Sequence, residues 1–292
     1  MKIAVIGDFF VRASMPDLAT GAAADLPEET GEQLKKIDGI ESLDPMRFVN
    51  AQSGAQTVLL IVRDFLGDPD AFWRKIASDM LWFKSWEKIC EWDHPHARWF
   101  TGAKLNITYN CLERHINNDR RNKVALFWIG ENGRERILTY YQLYKEVMRF
   151  GNVLKSLGVT KGDRICIYMP AIPELIIAML GCVRIGAVHT VVFAGYGAKA
   201  LNERIVGANV KVVVTADASV RRGGSIPLKP IVEEALIHAP SVERVIILRT
   251  QEPKVGLLDE FELDYEELMG TADRNCPPEP VDAEDPLFIL YT

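Results

Sequence analysis

Four apolar runs constrain this chain more than anything else in it: "DRICIYM" (163–169), "AVHTVVF" (187–193), "VKVVVT" (210–215) and "ERVIIL" (243–248). Each is rich in β-branched residues and lacks polar alternation, the pattern of a strand covered on both faces of a parallel sheet. Helical spacing fills the intervals. In the clearest case Thr139 and Gln142 form a capping box and apolar residues follow at Leu143, Val147, Phe150, Leu154 and Leu157. Gly158 supplies a left-handed stop. Pro170 and Pro173 punctuate the turn into a second helix through Leu180, and further helices are expected around Lys199–Ile205 and at 228–239. Parallel strands joined by short connections need right-handed crossovers, so the expected fold is α/β, a doubly wound, mostly parallel sheet with flanking helices. The closing run Leu287–Tyr291 also lacks alternation and is expected to rejoin that sheet as a strand buried on both faces. The strand at 124–130 and its hairpin are expected to lie apart from it.

Composition narrows the function classes. With 292 residues, 48 % of them hydrophobic, the chain can bury a sizeable core. A net charge of −6 argues against a nucleic-acid footprint. The stretch from Ile172 to Leu201 is interrupted by Glu174, Arg184 and His189, so no membrane span is expected, and the apolar patch after Lys2 is too short for a secretory signal. Cys90, Cys111, Cys166, Cys182 and Cys276 are odd in number and contain no CxxC pair, which suggests free thiols in a reducing, cytoplasmic setting.

Texture divides the chain into an unassigned segment 1–65, a helical, aromatic-rich region 66–120 and an α/β region 121–292. "MKIAVIGD" reads as a strand, yet Gly7 is followed by Asp8, Phe9 and Phe10, without the glycines of a dinucleotide fingerprint. Phe72, Ile76, Met80 and Phe83 recur at helical spacing, with Asp68 or Asp70 available as the cap. His94 and His96 flank Pro95; an extended surface loop is expected there, since no further ligand completes a metal site.

The ligand-facing rim of such a sheet lies beyond the carboxyl ends of its strands. "TADASVRRGGSIPLK" (215–229) begins at such an end. Its Arg221 and Arg222 are guanidinium forks suited to paired phosphate oxygens, and Gly223 and Gly224 allow close backbone approach; a plain flexible turn would have the same composition. "FAGYG" (193–197), with Ala194 and Gly195, occupies the same rim. Lys199 and Lys229 read as surface charges and His189 as a satisfied core histidine. No Ser/His/Asp order, GxxxxGK[ST] loop or convincing carboxylate pair occurs, so no catalytic residue and no metal ligand is assigned.

From about residue 68 the chain resembles the AMP-forming acetyl-CoA synthetases, acetate–CoA ligases of the adenylate-forming acyl-CoA synthetase superfamily. The stretches that carry the resemblance are "DPDAFWRKIASDMLWF", "ARWFTGAKLNITYNCLERH", "KGDRICIYMPAIPELIIAMLGCVRIGAVHTVVFAGYGAKAL", "VVVTADASVRRGGSIPLK" and "AEDPLFILYT". The second is similar to the short-chain acyl branch, with Ala103 where that branch has glycine. The resemblance implies ATP-dependent activation of acetate to acetyl-AMP and transfer to coenzyme A, with ATP and magnesium used by the full-length enzyme. It implies a phosphate loop directly after "DPLFILYT", and adenine, acetate, magnesium and catalytic-lysine elements beyond it, so this chain by itself is expected to be inactive. It places coenzyme A, by its 3′-phosphorylated adenosine end, at Arg221, Arg222, Gly223 and Gly224, with Ala194 and Gly195 beside the pantetheine tunnel. Gly224 stands where some relatives carry a second basic residue, and the Ala194 methyl is expected to narrow the tunnel. A non-catalytic coenzyme A-binding or interaction module, and a synthetase for another short-chain acid such as propionate, are the competing readings. Self-association through an exposed sheet edge is also expected.

Overall fold

The computed structural model describes residues 68–93, 96–131, 133–258 and 260–291; the expected strand at 2–7, like the rest of 1–65, lies outside them. The described residues fall into two compact units divided between Met80 and Leu81. In the first, α1 (Pro69–Ser78) starts with Pro69 in its first turn and Asp68 as its cap, the Asp68 carboxylate accepting from the Ala71 N–H at 2.9 Å. Met80 and Phe83 lie past its end, so the helical spacing in the sequence overruns this helix; a second helical stretch, a π-helical turn at Tyr109–Glu113 continued by Arg114–Ile116, closes the 66–120 region.

Between these two helical stretches the aromatic zone turns to β structure. β1 (Lys88–Asp93) and β2 (His96–Thr101) pair antiparallel, with Asp93 opposite His96. His96 therefore belongs to a hairpin strand rather than a surface loop; His94 and Pro95 lie outside the described residues. Trp82, Trp86 and Phe100 stack edge-on or tilted at 5.3–5.5 Å, which gives so aromatic a sequence an apolar use outside a helix. β3 (Lys104–Leu105) follows, then a π-helical turn at Tyr109–Glu113. β4 (Val124–Ile129) and β5 (Glu135–Thr139) form a separate two-stranded hairpin, as expected.

α2 (Tyr140–Ser156) opens on the full Thr139–Gln142 capping box, and Gly158 closes it at φ +75°. β6 (Arg164–Tyr168), α3 (Pro173–Arg184), β7 (Val188–Val191), α4 (Ala198–Gly207) and β8 (Val212–Ala216) then alternate as the spacing requires. A hairpin, β9 (Ala218–Arg221) and β10 (Gly224–Pro227), replaces the expected open loop. α5 (Lys229–Leu236) and β11 (Arg244–Leu248) continue the pattern, and β12 (Glu262–Asp264) and α6 (Tyr265–Thr271) add a strand and helix inside the acidic excursion. β13 (Val281–Asp282) pairs with β3, and β14 (Phe288–Ile289) ends the described chain.

The main sheet has six strands, all parallel, in the order β12-β11-β8-β6-β7-β14. The chain winds outward from β6 to β7, then crosses back to β8 and runs the other way, so the strand order reverses at β6. All of β8 is buried, as are four of the five residues in β6 and in β11. The closing run differs from expectation. β14 is a two-residue edge strand paired only with β7 among the described strands; Phe288 is 48 % and Leu290 69 % exposed. Apolar character alone does not tell an edge strand from a central one.

Helices α2 and α3 approach closely at two glycines. A Cβ at Gly181 would lie 2.6 Å from Phe150 Cδ1, and one at Gly151 would lie 3.0 Å from Cys276 Sγ. Phe150 is fully buried and has nowhere to retreat. We expect Gly181→Ala to lower stability although alanine favours a helix by about 1 kcal/mol, because overpacking a closed core costs about 1–3 kcal/mol. A lower urea midpoint with unchanged slope checks this; an unchanged or raised midpoint contradicts it.

Candidate functional site

The reversal of strand order at β6 puts three chain segments side by side: the end of β6, the turn after β7 and the hairpin after β8. This is the crevice where open α/β sheets hold ligands. Tyr168, the last residue of β6, bonds to the turn after β7 on one side and to β8 on the other. Its hydroxyl donates to the Tyr196 carbonyl at 2.6 Å, and its own carbonyl accepts from Thr215 Oγ1 at 2.8 Å.

The hairpin stands on a buried carboxylate. Asp217 is 2 % exposed, and its two oxygens accept from the Thr250 N–H at 2.9 Å, the Thr250 hydroxyl at 2.6 Å and the Gln251 N–H at 3.0 Å. Its N–H donates to the Leu248 carbonyl, and its carbonyl accepts from the N–H groups of Leu228 and Lys229. Asp217 thus ties the base of the β9–β10 hairpin to the loop after β11. In sequence it is an acidic residue in "TADAS" with nothing to mark it as buried.

Arg222 and Gly223 form the two-residue turn of the hairpin, with φ of +52° and +73°. Positive φ at both central positions is the mark of a type I′ turn, which suits the twist of a hairpin. Glycine adopts it freely; Arg222 does so against its preference. Val220, Arg221, Arg222, Gly223 and Gly224 are all exposed. The Gly223 N–H donates to Glu131 Oε2 at 3.3 Å, so an anionic group already faces the backbone of the tip. A Cβ at Gly223 would meet nothing within 4 Å, and one at Gly224 only the Arg221 carbonyl at 3.7 Å. The space a ligand needs over both glycines is open.

The second candidate pair separates. Ala194 is 8 % exposed and belongs to the core. Gly195 lies at the surface, where a Cβ would come within 2.3 Å of the Phe193 ring; the ring lies over it because the residue is glycine. Phe193 is 60 % exposed, and the Arg221 guanidinium carbon lies 5.5 Å from its ring centroid. Residues from the two sequence-flagged turns therefore meet through Phe193, the first residue of the "FAGYG" turn.

Other expectations change here. Lys229 is not a solvated surface charge: its side chain is 11 % exposed and pairs with Glu262 at 2.9 Å and with Glu233. His189 is in the core at 4 % exposure, but its Nδ1 has no hydrogen-bond partner, and burial pushes its pKa down to about 4. It is a neutral core histidine but not a satisfied one. The five cysteines are all unpaired; burial raises the Cys111 thiol to about 11 and the Cys166 thiol to about 12, so neither is a ready nucleophile.

Comparison with known proteins places this geometry. Residues 112–292 match the AMP-binding enzyme family, and residues 61–111 match the acetyl-coenzyme A synthetase N-terminus. The chain belongs to the AMP-binding enzyme family. It is 47 % identical over 229 residues to acetyl-coenzyme A synthetase of Chlorobaculum tepidum, covering 78 % of this chain and 35 % of that protein. With the corresponding protein of Magnetococcus marinus it is 42 % identical over 254 residues, covering 86 % and 39 %. The structure of acetoacetyl-CoA synthetase from Streptomyces lividans superposes with a TM-score of 0.73 at 27 % identity, over 83 % of this chain and 37 % of that one. The chain thus spans between a third and two fifths of the length of these relatives, and the match lies in their N-terminal portion. Among the described residues, no helix is long and apolar enough to cross a membrane.

Removing the Asp217 carboxylate leaves buried N–H donors of the 250–251 loop unsatisfied. We expect Asp217→Ala to cost on the order of 3 kcal/mol, and to speed tryptic cleavage after Arg221 and Arg222 by releasing the hairpin base. Unchanged urea stability together with unchanged cleavage would show that the carboxylate does not hold the hairpin.

Proposed function

We propose that these 292 residues are the N-terminal part of an AMP-forming acetate–CoA ligase, and that the β9–β10 hairpin with the 193–197 turn forms part of its coenzyme A surface. The observation that carries this is Arg221 standing 5.5 Å from the exposed ring of Phe193 at the strand-order reversal. The guanidinium of Arg221, with that of Arg222 beside it, offers planar paired donors to the 3′-phosphate of the coenzyme A nucleotide. The Phe193 ring offers a flat face to an adenine. The Gly223 N–H is a further donor once the Glu131 carboxylate gives way to phosphate. Gly195, having no Cβ, lets the ring fold back over the turn.

In the whole enzyme the reaction runs in two halves. Acetate oxygen attacks the α-phosphorus of ATP, giving acetyl-AMP and pyrophosphate; the thiol of coenzyme A then takes the acetyl group and AMP leaves. The first half needs charge stabilisation at the phosphates by metal and lysine. This chain's own contribution belongs to the second half: it anchors the nucleotide end of coenzyme A while the thiol reaches the acyl group. That the relatives are named acetyl-coenzyme A synthetases supports acetate, rather than propionate, as the acid of this reading.

Calorimetry tests the binding reading. Coenzyme A is expected to bind the 292-residue polypeptide, and Arg221→Ala or removal of the 3′-phosphate (dephospho-coenzyme A) to weaken binding at least about tenfold, as loss of a charge-assisted hydrogen-bonded pair requires. Equal binding by the Ala variant overturns it. The same polypeptide alone is expected to form no acetyl-CoA from acetate, ATP and coenzyme A, since its sequence contains no glycine-rich phosphate loop ending in lysine. Product formation above the no-enzyme rate contradicts this.

The bare edge of β14 completes the proposal. Phe288, Leu290 and Tyr291 are 48 %, 69 % and 43 % exposed at a strand that ends the sheet order and pairs with β7 on one side among the described strands, and such edges recruit a second copy. Sedimentation of the polypeptide is expected to show concentration-dependent association that Leu290→Lys reduces. A monodisperse monomer at all concentrations contradicts it.

A further inference from the structure

The β4–β5 hairpin meets the β9–β10 hairpin tip to tip, although neither belongs to the six-stranded sheet. Two contacts hold the first of them in place. Trp128, half-buried in β4, donates its indole N–H to the Ala171 carbonyl at 2.8 Å, and Arg136 in β5 pairs at 2.6 Å with Glu174, which is buried in the first turn of α3. Both anchors lie just past the carboxyl end of β6, at the reversal of strand order that forms the nucleotide rim. The turn beyond them is closed. The Gly130 N–H donates to the Arg134 carbonyl at 2.8 Å and the Gly133 N–H to the Gly130 carbonyl at 3.0 Å, with Gly133 at φ +75°. Glu131 is therefore presented to Gly223 by a tethered hairpin and not by a free loop.

The tip it meets is cationic. Arg221 and Arg222 make no ion pair among the described residues, and the space over Gly223 is open. The acid reaches the backbone instead, where the Gly223 N–H donates to Glu131 Oε2 at 3.3 Å. A carboxylate and a phosphate are both oxyanions that accept from N–H groups, so Glu131 occupies a donor that a phosphate would use. The contact is one a ligand can displace. It is longer than the usual 2.7–3.2 Å of such bonds, and Glu131 is exposed, so its carboxylate can turn out to water.

We propose that Glu131 sets the affinity of the coenzyme A surface: its carboxylate holds the Gly223 N–H while the surface is empty, and the 3′-phosphate displaces it on binding. This rests on the coenzyme A reading given above and adds an internal competitor to it. The effect is selective. A ligand that brings a phosphate to the tip loses affinity through the occupied donor and through repulsion between like charges at short range. A ligand without that phosphate leaves the contact intact and is indifferent to it. Glu131 thus narrows the margin by which coenzyme A is preferred to its dephosphorylated form. It also speeds release of a product held by the same nucleotide end.

Calorimetry of the 292-residue polypeptide with coenzyme A and dephospho-coenzyme A tests this. Glu131→Gln keeps an acceptor oxygen and removes the charge. It is expected to tighten coenzyme A about fivefold and to leave dephospho-coenzyme A within about twofold of the native value. Glu135→Gln removes the same charge from an exposed position in the same hairpin and is expected to leave both ligands near native. A second readout needs no ligand: in Glu131→Ala the Gly223 amide proton resonance is expected to move upfield as its hydrogen bond is lost. Unchanged or weaker coenzyme A binding by Glu131→Gln overturns the proposal. So does equal tightening of both ligands, equal tightening by Glu135→Gln, or an unmoved Gly223 resonance. A native chain that does not bind coenzyme A sinks the coenzyme A reading and the competition with it; binding that is indifferent to Glu131→Gln sinks the competition alone.

Discussion

The parallel ladder through β6, β8 and β11 is the constraint from which the rest follows. These strands are buried almost end to end, so their backbone groups must pair with each other, and no irregular chain can enter between them. Everything that is not strand or helix is pushed to the strand ends. The crossover from β7 back to β8 then brings two of those ends to either side of β6, and Tyr168 ties both down with its two ends of hydrogen bonding. Arg221 and Phe193 lie 28 residues apart in the chain and meet there because the sheet leaves their turns no other place.

A second constraint joins the N-terminal β elements to this sheet. Arg184, 1 % exposed at the end of α3, pairs with Glu113 at 2.6 Å, donates to the Cys276 carbonyl and reaches Thr108 Oγ1. Asn106 reaches the carbonyls of Val183, Arg184 and Glu279, while Asn110 exchanges hydrogen bonds with the Leu81 backbone. The stretch "KLNITYNCLERH", which most specifically marks the short-chain acyl branch by resemblance, is therefore packed here as a buried polar clamp. A pair this deep is weak evidence of net stabilisation, since desolvation offsets the attraction, yet losing one partner strands a buried charge.

The order of strands and helices between 124 and 248 was legible in the sequence because its signals are local: apolar runs, a capping box, a left-handed glycine, prolines in first turns. What could not be read is set by contacts distant in sequence. "FELDYEEL" gives β12 only three residues, and they are held at the sheet edge by Lys229 pairing with Glu262 and Arg249 with Asp264, partners 33 and 15 residues away. "DPLFILYT" has the composition of a central strand, but strand position depends on neighbours that a run's own residues do not name. At the site, adjacent arginines and glycines marked the hairpin tip, whereas the supporting Asp217 and the stacking Phe193 became visible only through burial and exposure. Ala194 was grouped with Gly195 by proximity in sequence, and the fold turns one inward and the other out.

The central claim is that the nucleotide end of coenzyme A lies between Phe193 and the β9–β10 hairpin. Photolabelling with 8-azido-adenine coenzyme A, followed by peptide mapping, tests it directly because the nitrene marks whatever the adenine touches. Label on peptides containing Phe193 or residues 218–227, suppressed by excess coenzyme A, is the predicted result; competed label concentrated elsewhere, with those peptides unmarked, would contradict the account.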